Sequence, residues 1–405
     1  MERVIVVGGG AAGMAAAIAA ASCGDSVTVL ERMDRVGKKL LATGNGRCNL
    51  MNAGAHRYPG GGTFADAVLA QCGIEEQRRF WQYLGVRLRE EEAGRIYPVS
   101  GQASTVLDAL RMMMDSLHVN VKTGVNVRHL DRQAHGWTVM TDSGTLQAER
   151  VIVAGGGRAQ PKLGSDGSAL MLLKDVGCAV RPFAPALTQI VTDTAAIRGL
   201  SGIRVKAEIA VMENGSAVHQ EQGELLFADY GVSGVCAMQC ARYASAGRTL
   251  RISLTHGMGF VNAAELRQEL LRRKMDWKMR PLADVLTGLC VPRLAAALMR
   301  AAAWRDTAKC TCGQMTRAMA EQLAKIIDGW DIVIQGVKGF ESAQVCVGGA
   351  QVSAFNPQTM ESKAEHGLHA VGEVLDVDGD CGGFNLMFAF GSGIIAGLNG
   401  RKAPW

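Results

Sequence analysis

Residues 4–14 read VIVVGGGAAGM, an apolar β-branched run that breaks into glycine and then into an alanine-rich segment. The run predicts a buried strand over residues 3–7, and the alanines predict a helix reaching residue 21. Between them, Gly8 permits a tight turn, Gly10 lets backbone approach a pyrophosphate, and Gly13 lets the helix pack close against the strand. A helix that starts here presents the free N–H groups of Ala11 and Ala12, and a partial positive charge, to phosphate. A second strand over residues 27–31 completes a β-turn-α-β unit and ends on Glu31 and Arg32. A carboxylate at that point accepts hydrogen bonds from a ribose diol and repels a 2′-phosphate, so the spacing predicts the adenosine ribose of FAD or NAD. Without the βαβ context, Glu31 reads as a solvated residue at a strand end.

The choice between the two nucleotides falls to residues 37–50, GKKLLATGNGRCNL. A nicotinamide dinucleotide gives so polar a loop no obvious task, whereas a flavin extends farther. Gly44 and Gly46 suit backbone pressed against a planar ring or a phosphate, while Thr43, Asn45, Arg47 and Asn49 supply donors. The bland alternative is a polar surface turn. Cys48 has Cys23 and Cys72 as its nearest cysteine neighbours, so a dithiol relay is not expected. The later stretch VIVAGGGRAQ places Ala154, Gly155 and Gly156 among the expected nucleotide contacts. It lacks a third glycine at the needed spacing, so no nicotinamide domain is built into the chain.

With 405 residues, the chain is long enough for two or three domains, since single cores stop growing near about 250–300 residues. A net charge of +5 spread along the whole length makes a polyanion partner a weak expectation. The eleven cysteines are scattered and the apolar start runs straight into a glycine turn, which predicts reduced thiols and a cytoplasmic protein. Residues 381–400 carry no charge, but six glycines, two asparagines and a serine dilute them, so a buried, glycine-faced helix is expected there and no membrane span.

Helices are expected over residues 65–72, 75–84 and the run after RIYPVSGQAS. An antiparallel meander is expected over 119–153, returning to a buried strand at 151–154. Residues 1–187 read as the first part of the nucleotide domain. Residues 188–330 read as an insertion, β-rich over 188–260 with a hairpin turn at Glu213-Asn214-Gly215 and helical over 261–325. Residues 331–405 return to the first domain.

Four stretches, ATGNGRCNL, GELLFADYGVSG, TMESK and GEVLDVDGDCGGFNL, in this order and at these separations, resemble the BaiN-like flavoproteins, a group that also contains aminoacetone-oxidase-like enzymes. The likeness runs over essentially the whole chain. It implies an α/β fold: a split Rossmann-type FAD-binding domain with an inserted β-rich, barrel-like domain and a helical subdomain. It places Gly8, Gly10, Gly13 and Glu31 at the adenosine and pyrophosphate, and Lys39, Thr43, Gly44, Asn45, Gly46, Arg47, Cys48 and Asn49 in a second flavin loop. It further places Gly372 and Glu373 at the ribityl chain, and Gly383, Asn385 and Leu386 at a turn beneath the flavin pyrimidine. A helix beginning near Asn385 would aim its N-terminus at flavin N1 and the C2 carbonyl. Where many relatives carry tryptophans after that turn, this chain has Phe384, Phe388 and Phe390, so a different pocket wall is expected.

The resemblance suggests reduction of an activated carbon-carbon double bond in an apolar ring substrate of bile-acid or steroid type. NADH, NADPH or a protein would be the external donor of hydride or electrons. Oxidation of a small amine and an RNA- or partner-binding role with structural FAD are the alternatives. Tyr230 and Ser233 are candidate proton donors, although a serine so placed by default caps a helix. Arg158 and Lys162 can steer an acidic substrate or donor. Arg272, Arg273, Lys274, Lys278 and Arg280 form a basic helical face that reads as solvated before it reads as an RNA contact. Cys236, Cys240, Cys310 and Cys312 find no completing ligands in the sequence, so no metal site is expected.

Overall fold

The computed structural model of the chain describes residues 1–55 and 57–405. It divides into two compact units, Met1–Pro185 with Ala343–Trp405, and Ala186–Ser342.

The first unit is built on a five-stranded parallel sheet in the order Leu368–Ala370, Arg150–Val153, Arg3–Val7, Ser26–Glu31, Asn120–Thr123. Its central strands are buried on both faces, which explains their unbroken apolar text: Val6, Val29, Val151, Ile152 and Val153 are fully covered. The first helix, Ala11–Ser22, is buried from Ala12 to Ala20. It packs against the last helix, Phe384–Leu398. Small residues make that approach possible. A Cβ on Gly393 would run into the Ala12 carbonyl oxygen, and one on Gly397 into that of Ala16. The uncharged stretch near the C-terminus is therefore a buried helix faced with glycine. No helix among the described residues is long and apolar enough to cross a membrane.

One expectation is corrected. Asn120–Thr123 does not belong to the antiparallel meander; it pairs in parallel with Ser26–Glu31. The run VNVKTGVNV is split by Gly124 at φ +68°, where Gly124 N–H donates to the Met33 carbonyl and Val125 N–H to that of Glu31. The antiparallel sheet that follows is three-stranded: Val127–Gln133, Gly136–Thr141 and Gly144–Ala148.

The second unit holds a closed six-stranded barrel, whose order runs Ile190–Thr192, Gly231–Ser233, Ser216–Ala228, Arg204–Glu213, Thr249–Ser253, Trp330–Val337 and back to the first. Asn214 (φ +51°) and Gly215 (φ +82°) form the two-residue turn between the longest strands, the left-handed pair that a type I′ hairpin requires. Ile209, Val211, Leu225, Phe227 and Ile252 are fully buried in a solid core. Helices Ala263–Asp276, Pro292–Ala301 and Arg317–Asp328 pack with this core. The unit runs past the expected residue 330 to Ser342 because Trp330–Val337 bonds to both Thr249–Ser253 and Ile190–Thr192 and so closes the barrel.

Candidate functional site

At the C-terminal end of the first strand, Gly8 has φ +106°, and a Cβ there would approach the Ala154 carbonyl oxygen to 2.7 Å. A Cβ on Gly13 would collide with the Gly8 carbonyl oxygen, while one on Gly10 would enter open space. Gly10 is the N-cap of the first helix and supplies no side-chain acceptor, so the opening N–H groups at Ala11, Ala12 and Gly13 point outward without a side-chain cap. Glu31, buried at the end of the second strand, accepts Gly9 N–H through Oε2 at 2.8 Å and Met33 N–H through Oε1 at 2.8 Å. Each oxygen keeps a lone pair for a hydroxyl. Arg32 pairs with Asp166 and donates to the Gly164 carbonyl at 3.2 Å, which ties down the loop that follows Gly155 and Gly156.

The second loop begins on Gly37, whose N–H donates to the Gly9 carbonyl at 2.9 Å and joins it to the glycine turn. After the short helix Lys38–Ala42 come four left-handed residues, Gly44, Asn45, Gly46 and Cys48. Such a conformation costs about 1 kcal/mol or more at a residue like Cys48. The Cys48 thiol is fully buried, and burial pushes it up to about 12, so it is a neutral filler and no nucleophile.

Two side chains expected to meet the cofactor are engaged within the protein. Thr43 donates to the Leu40 carbonyl at 2.7 Å. Arg47 pairs with Glu91 at 2.7 Å and lies over the Tyr97 ring at 4.2 Å. Lys39 reaches Glu373, Nζ to Oε2 at 2.7 Å, and the other Glu373 oxygen accepts Cys346 N–H at 2.8 Å. The fold thus brings together two residues placed in separate motifs.

The C-terminal turn closes the arrangement. Gly372, at φ +68°, donates its N–H to Ser392 Oγ at 3.0 Å, and Gly382 and Gly383 also have positive φ. The helix they introduce has no side-chain N-cap. Asn385 is fully occupied: Oδ1 accepts Gly379 N–H at 2.9 Å and Nδ2 donates to the Gly379 carbonyl at 2.7 Å, so it braces the acidic loop before the turn. Leu386 is partly buried in the first helical turn. Phe384, Phe388 and Phe390 are all buried in the unit's core, Phe384 and Phe388 against Tyr58 and Phe390 against Trp81.

Sequence reasoning missed Asn52, which donates to the Gly382 carbonyl at 2.8 Å, and Tyr58, whose hydroxyl donates to the Phe384 carbonyl at 2.8 Å. Neither sits in a motif, and only the fold brings them to the turn.

These residues fit a flavin dinucleotide. The glycine turn leaves no room for a side chain at Gly8 or Gly13 and open space beside Gly10, and the first and last helices have no side-chain N-cap. Asn49 is 8% exposed, and its Oδ1 has no hydrogen-bond partner. That oxygen lies 2.8 Å from where a Cβ on Gly383 would stand. A buried acceptor without a donor costs about 1–3 kcal/mol unless a ligand supplies one. A flavin pyrimidine presents both the N–H that Asn49 lacks and the oxygen and nitrogen acceptors that a helix N-terminus satisfies.

In the second unit, Tyr230 carries the Lys338 ammonium 4.3 Å from its ring centroid, and its carbonyl accepts Thr192 N–H. Ser233 ends the strand Gly231–Ser233, and the next helix is capped by Gly234 without a side-chain bond, so the serine is not an N-cap. In the first unit, the N–H of exposed Arg158 donates to Cys346 Sγ at 3.1 Å; Lys162 is also exposed. The basic face is partly neutralised. Arg272 pairs with Glu269 and Asp276, and buried Arg273 bonds Glu269 and the Val285 and Thr287 carbonyls. Among the described residues, no three His, Cys, Asp or Glu side chains converge as metal ligands.

The family model described as HI0933-like protein Rossmann domain matches residues 2–399. A protein of Clostridium scindens named 3-dehydro-bile acid delta(4,6)-reductase is 35% identical over all of this chain and all of its own length. Two proteins named ribosomal RNA dihydrouridine synthase are also similar. That of Haemophilus influenzae is 26% identical over 98% of this chain and 97% of its own, and that of Escherichia coli is 24% identical over 97% and 96%. With the two-helix cradle, the orphaned Asn49 acceptor and a match across nearly every residue, the chain belongs to the HI0933-like Rossmann-domain family and is an FAD-dependent oxidoreductase.

Proposed function

We propose that the chain reduces a carbon-carbon double bond conjugated to a carbonyl, in an apolar ring substrate of 3-oxo bile-acid or steroid type, with NADH, NADPH or a protein as external donor in the cytoplasm. The observation that carries this reading is the full-length, 35% likeness to a protein named as a bile-acid reductase. FAD, when bound and reduced by that donor, would supply hydride to the β-carbon of such a bond and return to its oxidised form.

The chain's own residues do the rest. Ala11, Ala12 and Gly13 N–H groups bind pyrophosphate, Glu31 binds the ribose diol, and the Lys39–Glu373 pair borders the ribityl chain. Asn49 and the N-terminus of Phe384–Leu398 orient the pyrimidine edge. Tyr230, whose ring carries the Lys338 ammonium, is the first choice for the proton that completes reduction at the α-carbon. Ser233 is the second choice, and Arg158 would attract an acidic substrate or the donor's phosphates.

A second reading has its own support. Two relatives are named for making dihydrouridine in ribosomal RNA, and that product also forms by saturating a ring double bond next to a carbonyl. The two readings share their chemistry and differ in the substrate's carrier. Purified holoenzyme is incubated anaerobically with NADH or NADPH and either a 3-oxo-Δ4,6 bile acid or uridine-containing ribosomal RNA, and products are weighed by mass spectrometry. A gain of two mass units in the bile acid alone supports the first reading, and a gain in the RNA alone supports the second. Bleaching of the flavin by aminoacetone, with peroxide released in air, would replace both with an amine oxidase.

A further inference from the structure

In the small antiparallel sheet of the first unit, Arg95 stands directly opposite Asn52. Residues so paired project to the same face of the sheet. On that face the Asn52 amide donates to the Gly382 carbonyl at 2.8 Å, so the Arg95 side chain leaves its strand toward the Gly382–Gly383 turn. The charge is felt there: burial raises the thiol of Cys381, next to the turn, and the Arg95 guanidinium pulls against that rise. Tyr97, two residues on, shares the face and lies under Arg47.

Nearby arginines have counter-charges. Arg47 and Arg89 each pair with Glu91 at 2.7 Å, and Arg57 pairs with Asp380 at 2.7 Å. The guanidinium of half-buried Arg95 makes no hydrogen bond or ion pair with any described residue; only its backbone is bonded, the carbonyl accepting Glu91 N–H at 2.7 Å. An unneutralised guanidinium therefore shares one turn with the positive end of the last helix, an arrangement that repels itself unless electron-rich matter lies between. Independently, the unpartnered Oδ1 of buried Asn49 opens on the same turn.

We propose that Arg95, together with the N-terminus of Phe384–Leu398, holds the negative charge of the reduced flavin at its N1–C2 carbonyl edge, and so sets the potential at which the enzyme accepts electrons. Taking up two electrons and one proton converts the neutral oxidised ring to an anion, with the charge centred on that edge. A fixed cation there favours the reduced form without touching substrate. The inference rests on the flavin reading of the site.

The test is the midpoint potential of the FAD holoenzyme, measured against a reference dye at one pH without substrate, for wild type, R95Q and R95K, with the FAD dissociation constant measured for each. R95Q should keep FAD affinity within about threefold, because one half-exposed charge is a small part of dinucleotide binding. Its potential should fall clearly below wild type, and R95K should restore most of the difference. An unchanged potential in FAD-loaded R95Q, with kcat/KM for substrate reduced, would place Arg95 on the substrate and overturn the proposal while leaving the flavin reading intact. Loss of FAD from R95Q and R95K alike would make Arg95 a structural residue and overturn it too. Wild-type protein that takes up no FAD would remove the flavin reading itself.

Discussion

At Gly13 a missing side chain creates the phosphate cradle, because even a methyl group would occupy the position of the Gly8 carbonyl oxygen. Gly13→Ala should therefore give a folded but colourless protein, with FAD affinity down at least about a hundredfold, read by absorbance after reconstitution. Asn49 makes a subtler contribution. If its orphaned oxygen takes a ring N–H, Asn49→Ala should weaken FAD binding about tenfold, the worth of one hydrogen bond in a buried setting. An unchanged dissociation constant would leave that oxygen unexplained.

His369 carries a different consequence. Burial, reinforced by the Arg150 guanidinium, pulls it down to about 4 from an ordinary value of 6.5. The unfolded chain takes the proton first, so its contribution to stability is complete above pH 6.5 and is lost as pH falls toward 4. The loss reaches at most about 3 kcal/mol. Urea unfolding between pH 7.5 and 4.5 should show that slope, and His369→Gln should flatten it.

Among the elements, the first and last helices bear most on the site, because each aims an uncapped N-terminus into it and their mutual packing fixes both. Gly393→Ala or Gly397→Ala should force them apart and lower stability by about 2–4 kcal/mol, seen as an earlier thermal transition with loss of bound FAD. The foot of the same helix is held by buried Arg150, which donates to the Ala396 carbonyl at 2.8 Å and pairs with Asp25 at 2.7 Å. Burial works to raise the Asp25 carboxyl, but the Arg401 hydrogen bond and the two guanidinium charges outweigh it and hold the group ionised below its ordinary range.

How much of this could be read beforehand depended on range. The βαβ start, the type I′ hairpin and the glycine-faced last helix were legible because their signals are local: a glycine triplet, an Asn-Gly pair, an uncharged small-residue run. The strand Asn120–Thr123 was misassigned because alternation continues across Gly124, and only bonds to Glu31 and Met33 reveal the break. The Lys39–Glu373 pair, separated by 334 residues, and the cross-strand placement of Arg95 on Asn52 exist only after folding.

For the whole molecule, the chain divides its labour between a unit that holds every expected FAD contact and a unit whose barrel is filled with its own side chains. Because FAD binds the folded first unit and not the unfolded chain, stability must rise with its concentration. At a hundredfold excess over the dissociation constant, the gain is about 2.7 kcal/mol, a few degrees in Tm.

The most direct test of the account is a single turnover. Holoenzyme reduced by one equivalent of dithionite under argon is mixed with a 3-oxo-Δ4,6 bile acid, and flavin absorbance and product are followed together. The account predicts that the yellow colour returns as one molecule of substrate per FAD gains two hydrogens. Flavin that stays reduced in the presence of the enone, yet reoxidises at once in air, would contradict it.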